Sequence, residues 1–154
     1  MNEYISYLNE GTLTDCVRIC TSTIGYKVGI FVTSDEEVVD IIREFTDGVF
    51  GFWNDNSLPV HITSIVQSRN GSYITFSNRS VIRIYVYRGC MRGTRLHRIL
   101  IDQKIDSNTI DTVLSPFVIK YDASKWDDYR RQQMQNEADV LFKLEYSDVN
   151  KTTI

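Results

Sequence analysis

The stretch VIRIYVYRGCMRGTRLHRILIDQKIDSNTIDTVLSPF, residues 81–117, decides the fold. Residues 81–87 are rich in β-branched and aromatic side chains and read as a strand. A loop carrying Arg88, Arg92 and Arg95 follows. Residues 99–101, Ile-Leu-Ile, form a short apolar run that stops on Asp102. Asp106-Ser107-Asn108 then caps a short helix through Val113, which Ser115-Pro116 breaks. An apolar strand ending on a carboxylate places the acid at the carboxyl end of a sheet, where open α/β folds put their ligand sites. The arginine loop supplies the opposite charge.

Upstream, runs at 61–67 and 72–77 are separated from each other by Arg69-Asn70-Gly71 and from the 81–87 strand by Asn78-Arg79. Asn-Gly between β-rich runs is a hairpin signal, so this part is expected to be antiparallel. Residues 27–33 form an apolar, Val/Ile-rich run suited to a buried strand. Ser34-Asp35-Glu36-Glu37 follows as a helix start, with a capping side chain and acids where the helix dipole favours them. Val38, Val39, Ile41, Ile42 and Phe45 give that helix its apolar face, and Asp47-Gly48 ends it. A first helix is expected over 14–23, capped by Thr12 or Thr14. Phe50, Phe52 and Trp53, among Gly, Asn and Asp, are either a buried aromatic anchor or a partner-binding patch. Residues 117–121 suggest a further strand and 123–144 a helix with an uneven stripe of Trp126, Tyr129, Met134, Ala138 and Leu141 or Phe142. That stripe suits packing on the sheet or a partner-binding face. The fold expected is α/β: a mixed sheet flanked by helices with an antiparallel hairpin insert, forming one domain over residues 1–145 with a flexible tail at 146–154.

The 154 residues suit one ordinary domain, and 42% hydrophobic with 24% charged residues describes a globular chain. No apolar run approaches the ~20 residues of a membrane span. The polar start MNEYISYLNEG has neither the basic flank nor the apolar centre of a secretory signal. No membrane role and a cytoplasmic location are expected. The net charge of −3 and pI of 5.4 conceal an asymmetry. Between Asn56 and Asp102 there is no acid and no lysine, while Arg69, Arg79, Arg83, Arg88, Arg92, Arg95 and Arg98 give that segment +7 against −10 elsewhere. Arginine suits bidentate contact with phosphate or carboxylate, and Tyr73, Tyr85 and Tyr87 interleave with it as faces for bases or guanidinium planes. A solvated face that pairs with acids elsewhere in the chain is the competing reading, and a patch for an acidic protein partner is a third.

These residues also carry a family resemblance. With SYITFSNRSVIRI ahead of it, RGTRLHRILIDQKIDSNTIDTVLSPF resembles the ATPase domain of bacteriophage terminase large subunits, the DNA-packaging motors. That family has an "I-x-F-x-N-G-S-x-I" hairpin, an "R-G-x-R" loop and an apolar strand ending in Asp-Glu, the Walker B acids. Phe76, Asn78, Ser80 and Ile82 match the hairpin, with Arg79 in the place usual for glycine. Arg92, Gly93 and Arg95 match the loop, and Ile99, Leu100, Ile101 and Asp102 match the strand. YKVGIFVTSDEEVVDIIREF looks like the family's preceding strand and helix, so the likeness spans roughly residues 25–117. What it implies is a truncated P-loop-ATPase-like scaffold without its first strand and phosphate loop. Two departures bear on activity. Gln103 stands where the family's catalytic Glu would be, and an amide cannot take a proton as a carboxylate does. A phosphate-binding G-x-x-x-x-G-K-[ST] loop is also missing, with Glu10-Gly11-Thr12 keeping only Gly-Thr. Asp102 and Gln103 are then a residual Walker B pair, or Asp102 ends a strand or caps a helix.

Cys16, Cys20 and Cys90 are expected as reduced thiols. Cys16 and Cys20 share a helix face, and small buried thiols explain them better than a metal site completed by Cys90 or His97. With His61 and His97 the only histidines, no nucleophile is set beside a paired base. No metal and no cofactor are implied. The expected function is a non-hydrolytic, terminase-like phage module associated with nucleic acid, leaning away from an enzyme. Its candidate contacts are Arg79, Arg83, Arg88, Arg92, Arg95 and Arg98, and DNA or other packaging proteins are its partners. The alternative is a phage-encoded interaction module or inhibitor of a host defence protein that reuses the scaffold, with Phe50, Phe52 and Trp53 facing the partner. Either would act in the host cytoplasm, and a homo-oligomer is compatible with both. Working ATPase chemistry is the third reading.

Overall fold

The computed structural model describes residues 3–69, 71–88 and 94–152, with side chains through residue 144. The chain divides into residues 1–121 and 122–154. The first unit is an α/β domain built on a six-stranded mixed sheet. Its strands are β1 (Ile5–Tyr7), β2 (Lys27–Val32), β3 (Ile62–Val66), β4 (Ser72–Phe76), β5 (Val81–Val86) and β6 (Arg98–Ile101), in the order β1-β6-β2-β5-β4-β3. β1, β6, β2 and β5 run parallel, and β4 and β3 add antiparallel strands at one side.

Alternation assigns the side chains of this sheet to two faces. Val28, Ile30, Val32, Ile74, Ile82, Ile84 and Leu100 point to one face. There they meet α1 (Glu10–Ser22) through Leu13, Cys16, Val17 and Cys20, and α2 (Asp35–Thr46) through Val38, Ile41, Ile42 and Phe45. Phe31, Ile99, Ile101 and Ile5 point to the other face. A run of short helical turns covers them with Ile105, Ile110, Leu114 and Phe117; its first turn is α3 (Ser107–Thr109), capped by Asp106. Leu96 joins this second core and lies over Gly29, where any Cβ would run into its Cδ1. A side chain at position 29 would require Leu96 to shift.

The central strands and their antiparallel pairing follow the hydrophobic pattern. Within the first unit, three elements differ from expectation. The chain opens on β1, where three residues are too few to show a period. α1 starts at Glu10 rather than 14, because Asn9 rather than a threonine caps it: its side chain accepts from the Thr12 N–H while the Thr12 hydroxyl accepts from the Asn9 N–H, both at 2.9 Å. No strand forms at 117–121. Val118 makes only an isolated bridge to Leu96, since the turn through Pro116 delivers one residue at the sheet level before the chain leaves. In the second unit, a single turn at Ala123–Trp126 leads into α4 (Asp127–Thr152). Met134, Leu141 and Phe142 on α4 are exposed. Among the described residues no helix is long and apolar enough to cross a membrane.

One buried polar corner joins α1, β2 and β5. Asn78, only 5% exposed, donates from Nδ2 to the Cys20 carbonyl at 2.7 Å and to the Thr23 carbonyl at 3.4 Å. The Ser80 hydroxyl donates to the Thr23 carbonyl at 2.7 Å and accepts from the Tyr26 N–H at 3.0 Å. These bonds satisfy carbonyls that the end of α1 leaves without helical partners. Arg79 between them takes φ 70°, the left-handed conformation that favours glycine. Asn78→Asp would set a carboxylate against two carbonyl oxygens in nearly the same volume. Urea unfolding at neutral pH is expected to show a loss of about 3 kcal/mol for this variant, with folding recovered in part at acid pH where the carboxyl can donate. A loss below about 0.5 kcal/mol would mean the corner is dispensable.

Candidate nucleic-acid interface

The short helical turns cover β1, β6 and β2 but stop short of the antiparallel strands. On that side, odd-numbered residues of β4 and β5 point away from α1 and α2. Register sets them in rows: Val66 opposite Tyr73, Tyr73 opposite Arg83, and Arg83 opposite Gly29. The next row holds Ser64, Thr75 and Val81. Val66, Tyr73, Val81 and Arg83 belong to neither core, and Arg83 is exposed. Tyr85 lies one step further along β5 and stacks on buried Phe31, with ring centres 5.0 Å apart and planes 19° apart. Phe31 thereby fixes the ring. The hydroxyls beside this surface are occupied with one another: Ser64 Oγ to Thr75 Oγ1 is 2.6 Å and Thr63 Oγ1 to Thr75 Oγ1 is 2.8 Å.

The described arginines do not form one patch. Arg69 and Arg88 line a cleft of about 950 Å³ at the carboxyl end of β5, together with Asp35, Gln67, Ser72 and Tyr85. Arg88 lies 3.6 Å from Asp35, but both side chains are largely in solvent, so the pair is weak. Arg83 stands mid-strand on the open face. Arg79 occupies the turn at the opposite end of β5, and exposed Arg95 precedes Leu96. Arg98 belongs to the α1 side. It sits over the Tyr4 ring at 5.8 Å, interacts with Tyr26, and keeps its Nε buried with no hydrogen-bond partner among the described residues. Arg92 and Gly93 lie outside the described residues, as does Cys90.

Asp102 ends β6 as the sequence suggests, and what surrounds it was not legible. Its Oδ1 accepts the Lys104 N–H at 2.9 Å, and its other oxygen lies 4.0 Å from Lys104 Nζ. Lys104 Nζ is 2.7 Å from Glu37, which also accepts the Thr33 N–H at 3.0 Å. Burial opposes ionisation of Glu37, yet the Lys104 ammonium, a hydrogen bond shared with Asp102 and the Thr33 N–H outweigh it and hold the carboxyl at about 2. Gln103 beside them is exposed. The three aromatics upstream separate: Phe50 is core and stacks on Phe45 at 4.9 Å, Trp53 is half-buried, and Phe52 is 64% exposed. Both Cys16 and Cys20 are fully buried, and burial pushes the Cys16 thiol up to about 12 and the Cys20 thiol well above its usual value.

The Glu37 cluster has a measurable signature. Its carboxyl ionises lower in the folded chain than the ~4.3 of a free glutamate, so its contribution is complete above about pH 5 and is lost as pH falls towards 2. Glu37→Gln is expected to be less stable at neutral pH and to lose less over that window; parallel stability–pH curves for the two chains would contradict this. In comparisons with known proteins, no family model, no curated protein and no solved structure matches this chain.

Proposed function

We propose that the chain is a non-hydrolytic module that associates with nucleic acid, related by descent to the ATPase domains of phage DNA-packaging terminases. The observation that carries it is Arg83 exposed on an open sheet face beside Tyr73 and Tyr85, in a segment without a single carboxylate. An arginine so placed has no acidic neighbour on its own hairpin, and a polyanion is its natural counterion. The kinship is supported by Asn78 and Ser80 in the turn ahead of β5 and by Asp102 at the carboxyl end of a parallel strand. The absence of turnover is supported by two local facts. Only Leu8 and Asn9 join β1 to α1, and Asn9 and Glu10 occupy the helix N-terminus where a phosphate would otherwise sit. Lys104 also engages both Asp102 and Glu37, next to an amide at Gln103.

A protein-interaction module on the same scaffold is the second reading. Val49 and Phe52, 74% and 64% exposed, favour it, together with an apolar cleft of about 330 Å³ between α1 and α2 that is rimmed by Glu10, Asp40 and Glu44.

Titration of labelled DNA at low and physiological salt separates the two. The nucleic-acid reading expects micromolar or tighter binding that weakens steeply with salt, with Arg83→Ala lowering the slope of log K against log salt by about 0.7–0.9. Purified chain mixed with ATP and magnesium is expected to release no phosphate above a buffer control. Failure to bind DNA at low salt would remove the first reading, and steady turnover abolished by Asp102→Ala would remove the claim that hydrolysis is lost.

A further inference from the structure

We propose that the open face of the antiparallel strands is a stacking platform for single-stranded DNA, with Tyr73 and Tyr85 each receiving a base and Arg83 the phosphate between them. This rests on the nucleic-acid reading above and narrows it to the kind of strand and the way it is held.

Geometry selects the strand type. Tyr73 faces Arg83 across β4 and β5, and Tyr85 is two residues beyond Arg83 on the same face. The two tyrosines are therefore diagonal neighbours, about 7–8 Å apart at the backbone. That diagonal sets two rings on one surface with a guanidinium beside both. Phe31 backs Tyr85 and holds its ring, which lowers the entropy lost when a base lies on it. Beyond the last β4–β5 pair, none of the described residues fills the space where a side chain of Gly71 would stand, which leaves room beside Tyr85 along the sheet. Tyr85 also lines the cleft that contains Arg69 and Arg88, so a strand leaving the platform meets two more cations at the carboxyl edge.

A duplex does not suit this surface. It conceals its base faces, and it is read by a helix or ribbon that enters a groove, which the broad side of a three-strand sheet does not offer. RNA would add a 2′-hydroxyl at every nucleotide and reward polar groups that can meet it. The hydroxyls of Thr63, Ser64 and Thr75 are already bonded to one another, so these three offer little such reward.

The test uses the full chain and three labelled probes: oligothymidylate, the same strand in a duplex, and oligouridylate. Single-stranded DNA is expected to bind at least roughly tenfold tighter than the duplex, with tyrosine fluorescence quenched on binding. Tyr73→Thr keeps a β-branched residue at a position outside both cores and is expected to weaken binding roughly tenfold without changing the salt slope, while Tyr73→Phe retains affinity. Equal or tighter duplex binding overturns the platform and leaves the broader reading standing, as does an unchanged affinity in Tyr73→Thr with unquenched wild-type fluorescence. Equal binding of oligouridylate overturns the assignment to DNA. Failure of all three probes at low salt overturns both the platform and the reading beneath it.

Discussion

The hydrogen bonds of Asn78 and Ser80 are the constraint on which the domain depends. They tie the end of α1 to the starts of β2 and β5, which lie side by side as Lys27 opposite Val81. That pairing decides every side chain that follows. In a strand of period two, a slip of one residue would send Arg83 and Tyr85 into the α1–α2 core and bring Ile82 and Ile84 out to solvent. A buried amide and hydroxyl that are satisfied in one register alone make such a slip expensive, because each would leave carbonyls at the helix end unpaired. The polar corner thus fixes the faces of an otherwise apolar sheet.

With the faces fixed, their covering is unequal. The first core draws on α1, α2 and the sheet and extends beneath the hairpin, through Ile62, Ile74 and Phe76. The second is smaller and gathers around β1, β6 and β2. Leu96 marks its boundary. Because position 29 is glycine, Leu96 can settle onto the sheet itself and close the second core along the line where Arg83 begins the open region. The exposed face is therefore a consequence of where one leucine ends the packing.

Much of this architecture can be read in the sequence, for identifiable reasons. β2, α2 and the three strands through β5 are long enough to display a period, and Ser34 announces its helix by chemistry that needs no tertiary context: its hydroxyl accepts the Glu37 N–H. β1 and the turn after Pro116 escape because their structure depends on partners distant in sequence. Ile5 pairs with Ile99, and Val118 meets Leu96. The site divides in the same way. Position along the chain groups the arginines, but only strand parity separates Arg83 on the open face from Arg98 on the α1 side. Tyr73, Arg83 and Tyr85 share that parity, so the signal for a common face was in the numbering. The contact of Lys104 with Glu37 joins residues from opposite halves of the domain, and neither local pattern nor charge count reveals it.

The two ends of the sheet bear on how the molecule meets others of its kind. β1 is three residues long, and β3 shifts register between Ile62 and Ser64, a bulge that bends the outermost strand. Short and bulged borders offer a poor template for a further strand from another chain. Recruitment of partners by β-augmentation is accordingly discouraged at both margins, and chains at high concentration are spared runaway cross-strand assembly. What this sheet can present to another molecule is its broad side rather than its backbone.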